Sequence, residues 1–69
     1  MRRGDLAKLT CDERLYVKED GVFMSSPAVV QRGELVTVIQ PSESATSMAL
    51  VLHPRHGLGI LYSPSLEAV

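Results

Sequence analysis

The sequence predicts an all-β domain, and three observations carry that reading. Apolar residues fall in short clusters divided by turn formers every 8 to 15 residues, with Gly33, Pro41 and Pro54 among the clearest dividers. No window keeps apolar residues at i, i+3, i+4 and i+7 through three helical turns. The clearest strand candidate, Leu35-Val36-Thr37-Val38-Ile39, is dominated by β-branched side chains, which pack well on a pleated surface and lose rotamer freedom in a helix.

Gly4-Asp5 opens a first strand, expected over Leu6 to Thr10, in which alternation puts Ala7 and Leu9 on one face and Leu6 and Lys8 on the other. Cys11 to Gln31 reads as a long excursion. Within it, Leu15-Tyr16-Val17 and Val22-Phe23-Met24 flank Lys18-Glu19-Asp20-Gly21, whose Asp-Gly pair signals a small irregular hairpin that Ser25-Ser26-Pro27 ends. Arg32-Gly33 starts a second strand over Glu34 to Gln40, and Pro41, with no N–H for a ladder, stops it. The Ser-rich stretch Pro41 to Ser47 reads as a solvated hairpin loop before a third strand over Met48 to Leu52. Pro54 to Gly57 is the next turn, and Leu58 to Tyr62 the fourth strand. Ser63-Pro64-Ser65 has the composition of a tight turn or one turn of 3₁₀ helix, leading into a last short strand over Leu66 to Val69. Five strands with mostly short connections fit a small, partly open barrel forming a single domain over residues 1–69.

Several of these runs are apolar on both faces, the mark of strands covered on both sides. A chain of 69 residues encloses one face by itself. The other is covered either by the Cys11–Gln31 segment folding over the outside or by a second copy of the chain, with ordinary exposed apolar residues as the third alternative.

Composition narrows the function. One cysteine makes no internal disulfide, and zinc would need more ligands than Cys11, His53 and His56 supply, so no cofactor or metal is expected. Seven Lys/Arg against eight Asp/Glu give a net charge of −1 without any dense basic run, unlike the footprint of a nonspecific nucleic-acid binder. The longest apolar run, Met48 to Leu52, is far short of a membrane span, and the start of the chain lacks the apolar stretch of a signal peptide. The expectation is a soluble cytoplasmic protein with a reduced thiol.

The order Gly4-Asp5-Leu6-Ala7-Lys8-Leu9, long excursion, three-strand meander, Ser63-Pro64-Ser65 and Leu66-Glu67-Ala68-Val69 resembles the SH3-like small barrels. In that family a long loop follows the first strand, and a 3₁₀ turn leads into the terminal one. The opening Gly-Asp-Leu-x-Lys-Leu and the ending Gly57 to Val69 are also similar to tiny uncharacterised proteins of tailed bacteriophages, notably marine ones, with Ile60 and Leu61 where those often carry Trp and Val. The resemblance implies a five-stranded SH3-like fold and a phage source, which would place the protein in the host cytoplasm. It carries no activity. Eukaryotic SH3 domains bind proline-rich peptides in an aromatic groove, and Ser63-Pro64-Ser65 looks like the corresponding turn. This chain has no Trp, and its long loop offers only Asp12, Glu13 and Tyr16 toward such a groove.

Four groups of residues are candidates for function. His53-Pro54-Arg55-His56 reads as a solvated hairpin tip, where Arg55 and His56, with Arg32, would form a modest anion-contacting corner. Cys11 stands beside Asp12 and Glu13, whose charge disfavours a thiolate nucleophile. No Gly-x-Ser-x-Gly elbow or Gly-rich phosphate loop is present, so no catalytic residue is assigned. Arg3-Gly4-Asp5 and Arg32-Gly33-Glu34, 29 residues apart, both read as a glycine turn feeding a strand. Tyr16, Phe23 and Tyr62 are the only aromatics and are expected mainly in the core. The other arrangement brings Tyr16 and Tyr62 together beside Pro64 as a small amphipathic docking patch. The functional expectation is a noncatalytic protein–protein interaction module that binds a host protein or itself. The alternatives are weak RNA or DNA binding through Arg32, Arg55 and His56, and a minor structural component of a virion.

Overall fold

The computed structural model describes residues 2–23, 26–42 and 47–69. Its elements are β1 Leu6–Leu9, β2 Glu13–Glu19, β3 Val22–Phe23, β4 Ala28–Val30, β5 Leu35–Gln40, β6 Met48–His53, β7 Gly57–Tyr62, a 3₁₀ turn Ser63–Ser65 and β8 Leu66–Ala68. Every pairing is antiparallel, in one open sheet ordered β3-β2-β7-β6-β5-β1-β8 with β4 alongside β2. The all-β class expected from the sequence is therefore the observed one. The five expected strands are β1, β5, β6, β7 and β8, each end within one residue of its expected place, and the 3₁₀ turn falls on Ser63–Ser65.

The excursion is where the structure departs furthest from the sequence reading. It holds three strands, and β2 spans seven residues and joins the main sheet through Tyr16↔Ile60 and Val17↔Gly59 on β7. Charged residues at both ends, Glu13-Arg14 and Lys18-Glu19, leave only Leu15-Tyr16-Val17 as an apolar signal, so the strand looks shorter in sequence than it is. The expected hairpin is present: Lys18↔Phe23 and Glu19↔Val22 pair across Asp20-Gly21. Both turn residues have positive φ, 52° and 79°, as the two-residue turn matching strand twist requires. Met24, Ser25 and most of the expected Ser-rich loop, residues 43–46, lie outside the described residues. The excursion extends the sheet sideways by hydrogen bonding to β7; β2 does not lie across the outer face.

The two Arg-Gly-acid triplets form the same turn. Gly4 and Gly33 have φ of 88° and 90°, and the Asp5 and Glu34 amides donate to the Arg2 and Gln31 carbonyls, both at 3.1 Å. Glycine at the third turn position with positive φ is the type II pattern. Each acidic side chain returns to cap the first amide of its own turn: Arg2 N–H donates to Asp5, and Gln31 N–H to Glu34. The turns then extend the β1–β5 ladder at opposite ends, through Val38 N–H to Asp5 O at 2.8 Å and Leu9 N–H to Glu34 O at 3.0 Å. A local two-fold relation about the Ala7↔Val36 pair results.

Alternation directs Ala7, Leu9, Leu15, Val36, Val38, Ala49, Val51 and Leu61 inward, where Val30 and Leu66 join them and Val17 packs against them. None of the ten core residues is aromatic: Phe23 and Tyr62 are exposed and Tyr16 is half-buried, against the expectation of aromatic core packing. Ile39 is an extra residue in β5, because Val38 pairs Val51 and Gln40 pairs Leu50. This bulge turns Gln40 to the outer face beside Leu50. Among the described residues, no helix is long and apolar enough to cross a membrane.

Candidate functional site

The alternation that fills the core also determines what the sheet shows outside. Outward positions on β6 are Met48, Leu50 and Leu52, and on β7 Leu58, Ile60 and Tyr62, so all six are apolar. Cross-strand pairing sets Gln40, Leu50, Ile60 and Tyr16 in one row over four strands, with Met48 opposite Tyr62 beside it. An open cleft of about 430 Å³ lies here, floored by Met48, Leu50 and Ile60. Lys18 and Phe23 form one wall, the ammonium 5.8 Å from the ring centroid, and Gln40, Pro41, Ser42 and Ser47 form the other. The Lys18–Phe23 contact, between cross-strand partners of the β2–β3 hairpin, ties its two arms together by a cation–π attraction of about 0.5–1 kcal/mol.

Tyr16 and Tyr62 lie on this same face. Tyr16 is paired with Ile60, two residues before Tyr62, so the tyrosines are diagonal neighbours within aromatic reach on adjacent strands. Pro64 is exposed two residues beyond Tyr62, in the 3₁₀ turn, which Ser63 N–H anchors to the Ser47 carbonyl at 3.1 Å. Phe23, exposed across the cleft, is the aromatic neighbour of this group that sequence spacing does not indicate; the Asp20-Gly21 hairpin brings it there.

The second candidate, at the β6–β7 turn, is built differently from the expected solvated tip. Arg55 is exposed, but His53 is 3% exposed. The reason is alternation: Ala49, Val51 and His53 share the inward face once β6 runs one residue further. His53 Nδ1 accepts the Arg55 and His56 amides at 3.1 and 3.3 Å, which assigns the proton to Nε2, and Nε2 donates to Glu34 Oε1 at 2.9 Å. Arg55 Nη2 meets the same oxygen at 2.7 Å. The Gln31 amide, the Arg55 guanidinium and His53 together hold the Glu34 carboxyl down from the ordinary 4.5 to about 2. The His56 ring lies 4.8 Å from that of His53. Arg32, in the neighbouring turn, gives its amide to Asp12 Oδ1 at 2.9 Å. Arg55 is thus paired with Glu34 and the Arg32 turn with Asp12, so two carboxylates stand among the three residues expected to form an anion-contacting corner.

A third polar chain runs from the exposed Cys11 thiol, which donates to Ser65 Oγ at 3.4 Å, to the Ser65 hydroxyl, which donates to Glu13 at 2.6 Å. The Ser65 carbonyl accepts the Thr10 amide and hydroxyl at 2.9 and 3.2 Å. This chain ties the start of β2 to the 3₁₀ turn. Among the described residues, no group of three His, Cys, Asp or Glu is placed to hold a metal ion, and every buried side-chain polar atom has a partner.

No protein-family model matches the chain, and no curated protein or solved structure matches it significantly.

Proposed function

We propose that this chain is a noncatalytic protein-interaction module of SH3-like architecture, which docks a partner protein on the outward face of β2, β6 and β7. The observation that carries the reading is the unbroken apolar character of that face, six of six outward positions on β6 and β7, beside two tyrosines and an open cleft. Burying such surface stabilises a complex by about 25 cal/mol per Å² before ordering costs. Tyr16 and Tyr62 add rigid amphipathic contacts with few torsions to immobilise, Pro64 extends them, and Lys18 and Gln40 supply a polar rim. The architectural part is supported by β1 pairing with both β5 and β8, the β5–β6–β7 meander and the 3₁₀ turn before the last strand. The likeness to small tailed-phage proteins makes a bacterial host protein the partner to test first.

The test is affinity capture from host lysate by the wild type, a Tyr62→Ala variant and an Arg32→Ala/Arg55→Ala variant. A protein retained by the wild type and the arginine variant, and retained at least about tenfold less by Tyr62→Ala, is the expected outcome. Nothing retained by the wild type, or retention indifferent to Tyr62→Ala, overturns the reading. Retention lost with Arg32→Ala/Arg55→Ala and steeply weakened by salt favours nucleic-acid binding instead.

A further inference from the structure

His53 is a buried titratable side chain that the docking face does not use, and both of its ring nitrogens are committed. Nδ1 accepts the Arg55 and His56 amides, and Nε2 donates to Glu34 Oε1. The ring therefore does for the turn over residues 54–56 what an Asn or Asp oxygen does in an Asx turn, taking amides a short step ahead in the chain. It differs from an Asn oxygen in that it can gain a proton. We infer that the β6–β7 turn is an acid-responsive latch: a proton gained at His53 Nδ1 releases residues 54–56 from the ring, while Nε2 stays on Glu34.

Hydrogen-bond chemistry decides which end lets go. An imidazolium has a donor at each nitrogen and no acceptor, so a hydrogen on Nδ1 faces two amide hydrogens and both of those bonds are lost. Nε2 is the fixed end. The Gln31 amide, the Arg55 guanidinium and His53 keep the Glu34 carboxyl ionised down to about pH 2, and a carboxylate accepts from Nε2 whether or not the ring is charged. With the ring held from the turn before β5, residues 54–56 are the part that moves.

The charged and titratable groups around His53 are Glu34, from the turn before β5, and Arg55 and His56, from its own turn. Arg55 shares Glu34 Oε1 with His53, and its side chain is 69% exposed, so the guanidinium can leave with the turn. The His56 ring is 4.8 Å from that of His53, a distance at which two imidazolium charges repel and favour the released form.

The latch is independent of the docking reading. His53 pairs Gly57 at one end of β6 and β7, and Met48 pairs Tyr62 at the other, five residues or about 16 Å away.

A titration of ¹⁵N-labelled protein from about pH 8 to about pH 5, following the His53 ring nitrogens and the backbone amides together, tests the inference. The expected result is a ring that starts with its proton on Nε2, and Arg55 and His56 amide protons that shift upfield, as amides losing an acceptor do, in the step in which the ring gains charge. His53→Asn supplies an oxygen for the same two amides and suits the position before Pro54, but takes up no proton, so the step should vanish. His56→Gln should keep it. Should His53→Asn fail to fold, the wild type and His56→Gln decide the matter. Amides that stay still, or move at a different pH from the ring, overturn the inference. So does a neutral ring with its proton on Nδ1, a step that survives His53→Asn, or a step lost in His56→Gln.

Discussion

Gly59 is the one glycine of the five whose missing Cβ makes room for a neighbouring strand. A Cβ there would lie 2.8 Å from the Tyr16 carbonyl oxygen and 2.9 Å from a Leu15 methyl, so β2 can approach β7 only because this position has no side chain. Gly59→Ala should destabilise the fold by about 1–3 kcal/mol, read as a lower midpoint in urea, by forcing β2 away. A glycine inside Gly57-Leu58-Gly59-Ile60 is a sequence signal for close backbone approach, but the approaching strand is not named by it. Glu34 gives a pH signature. Its folded-state pKa lies near 2, below the ordinary 4.5, so its contribution is complete above about pH 4.5 and is lost as pH falls toward 2. The stability gap between wild type and Glu34→Gln should therefore be widest near neutrality and close between those two values; a gap of constant size from neutral to acid would contradict the assignment. The role of Glu34 was not legible in the sequence, because its partners His53 and Arg55 lie 19 and 21 residues away.

At the scale of elements, the strands with β-branched or continuous apolar runs and firm punctuation were readable, while β2 was not. β6 is an unbroken apolar run whose burial alternates, β5 is bracketed by Gly33 and Pro41, and both fall where composition puts them. β2 carries charges at its ends that suit the exposed portions of a hairpin, and only tertiary pairing with β7 makes it a full sheet member. Leu15 is the measure of that membership, being fully buried against the core. Leu15→Ala should cost about 2–5 kcal/mol, comparable with Leu61→Ala on β7, because both empty the same core. A cost below about 1 kcal/mol would mean that the excursion behaves as a loop. The 3₁₀ turn is held similarly by long-range bonds, from Ser65 to Glu13 and from Thr10 to Ser65. Ser65→Ala should lower stability by about 1 kcal/mol, through loss of a buried hydrogen bond, in the same denaturation series.

Across the whole molecule, the sequence shows two-sided strands and the structure shows how the two sides differ. One side is a closed aliphatic core; the other is an apolar outer face that β2 flanks and does not cover. Residues that build the outer rows, such as Leu6, Leu52 and Val69, lie tens of positions apart, and only the β1–β5–β6 and β1–β8 registers align them. The Tyr16, Tyr62 and Pro64 patch was accordingly legible as one of two arrangements of the tyrosines, while the other outward positions were legible only as surplus apolar residues. The most direct measurement is the amide spectrum of uniformly ¹⁵N-labelled protein, recorded alone and in a bacterial lysate. Shifts or broadening confined to the outward face of β2, β6 and β7, with Tyr16, Ile60 and Tyr62 among them, are the expected result. Spectra that stay the same in both conditions, or that change only at Arg32, Arg55 and His56, would contradict an outer face that serves as a protein interface.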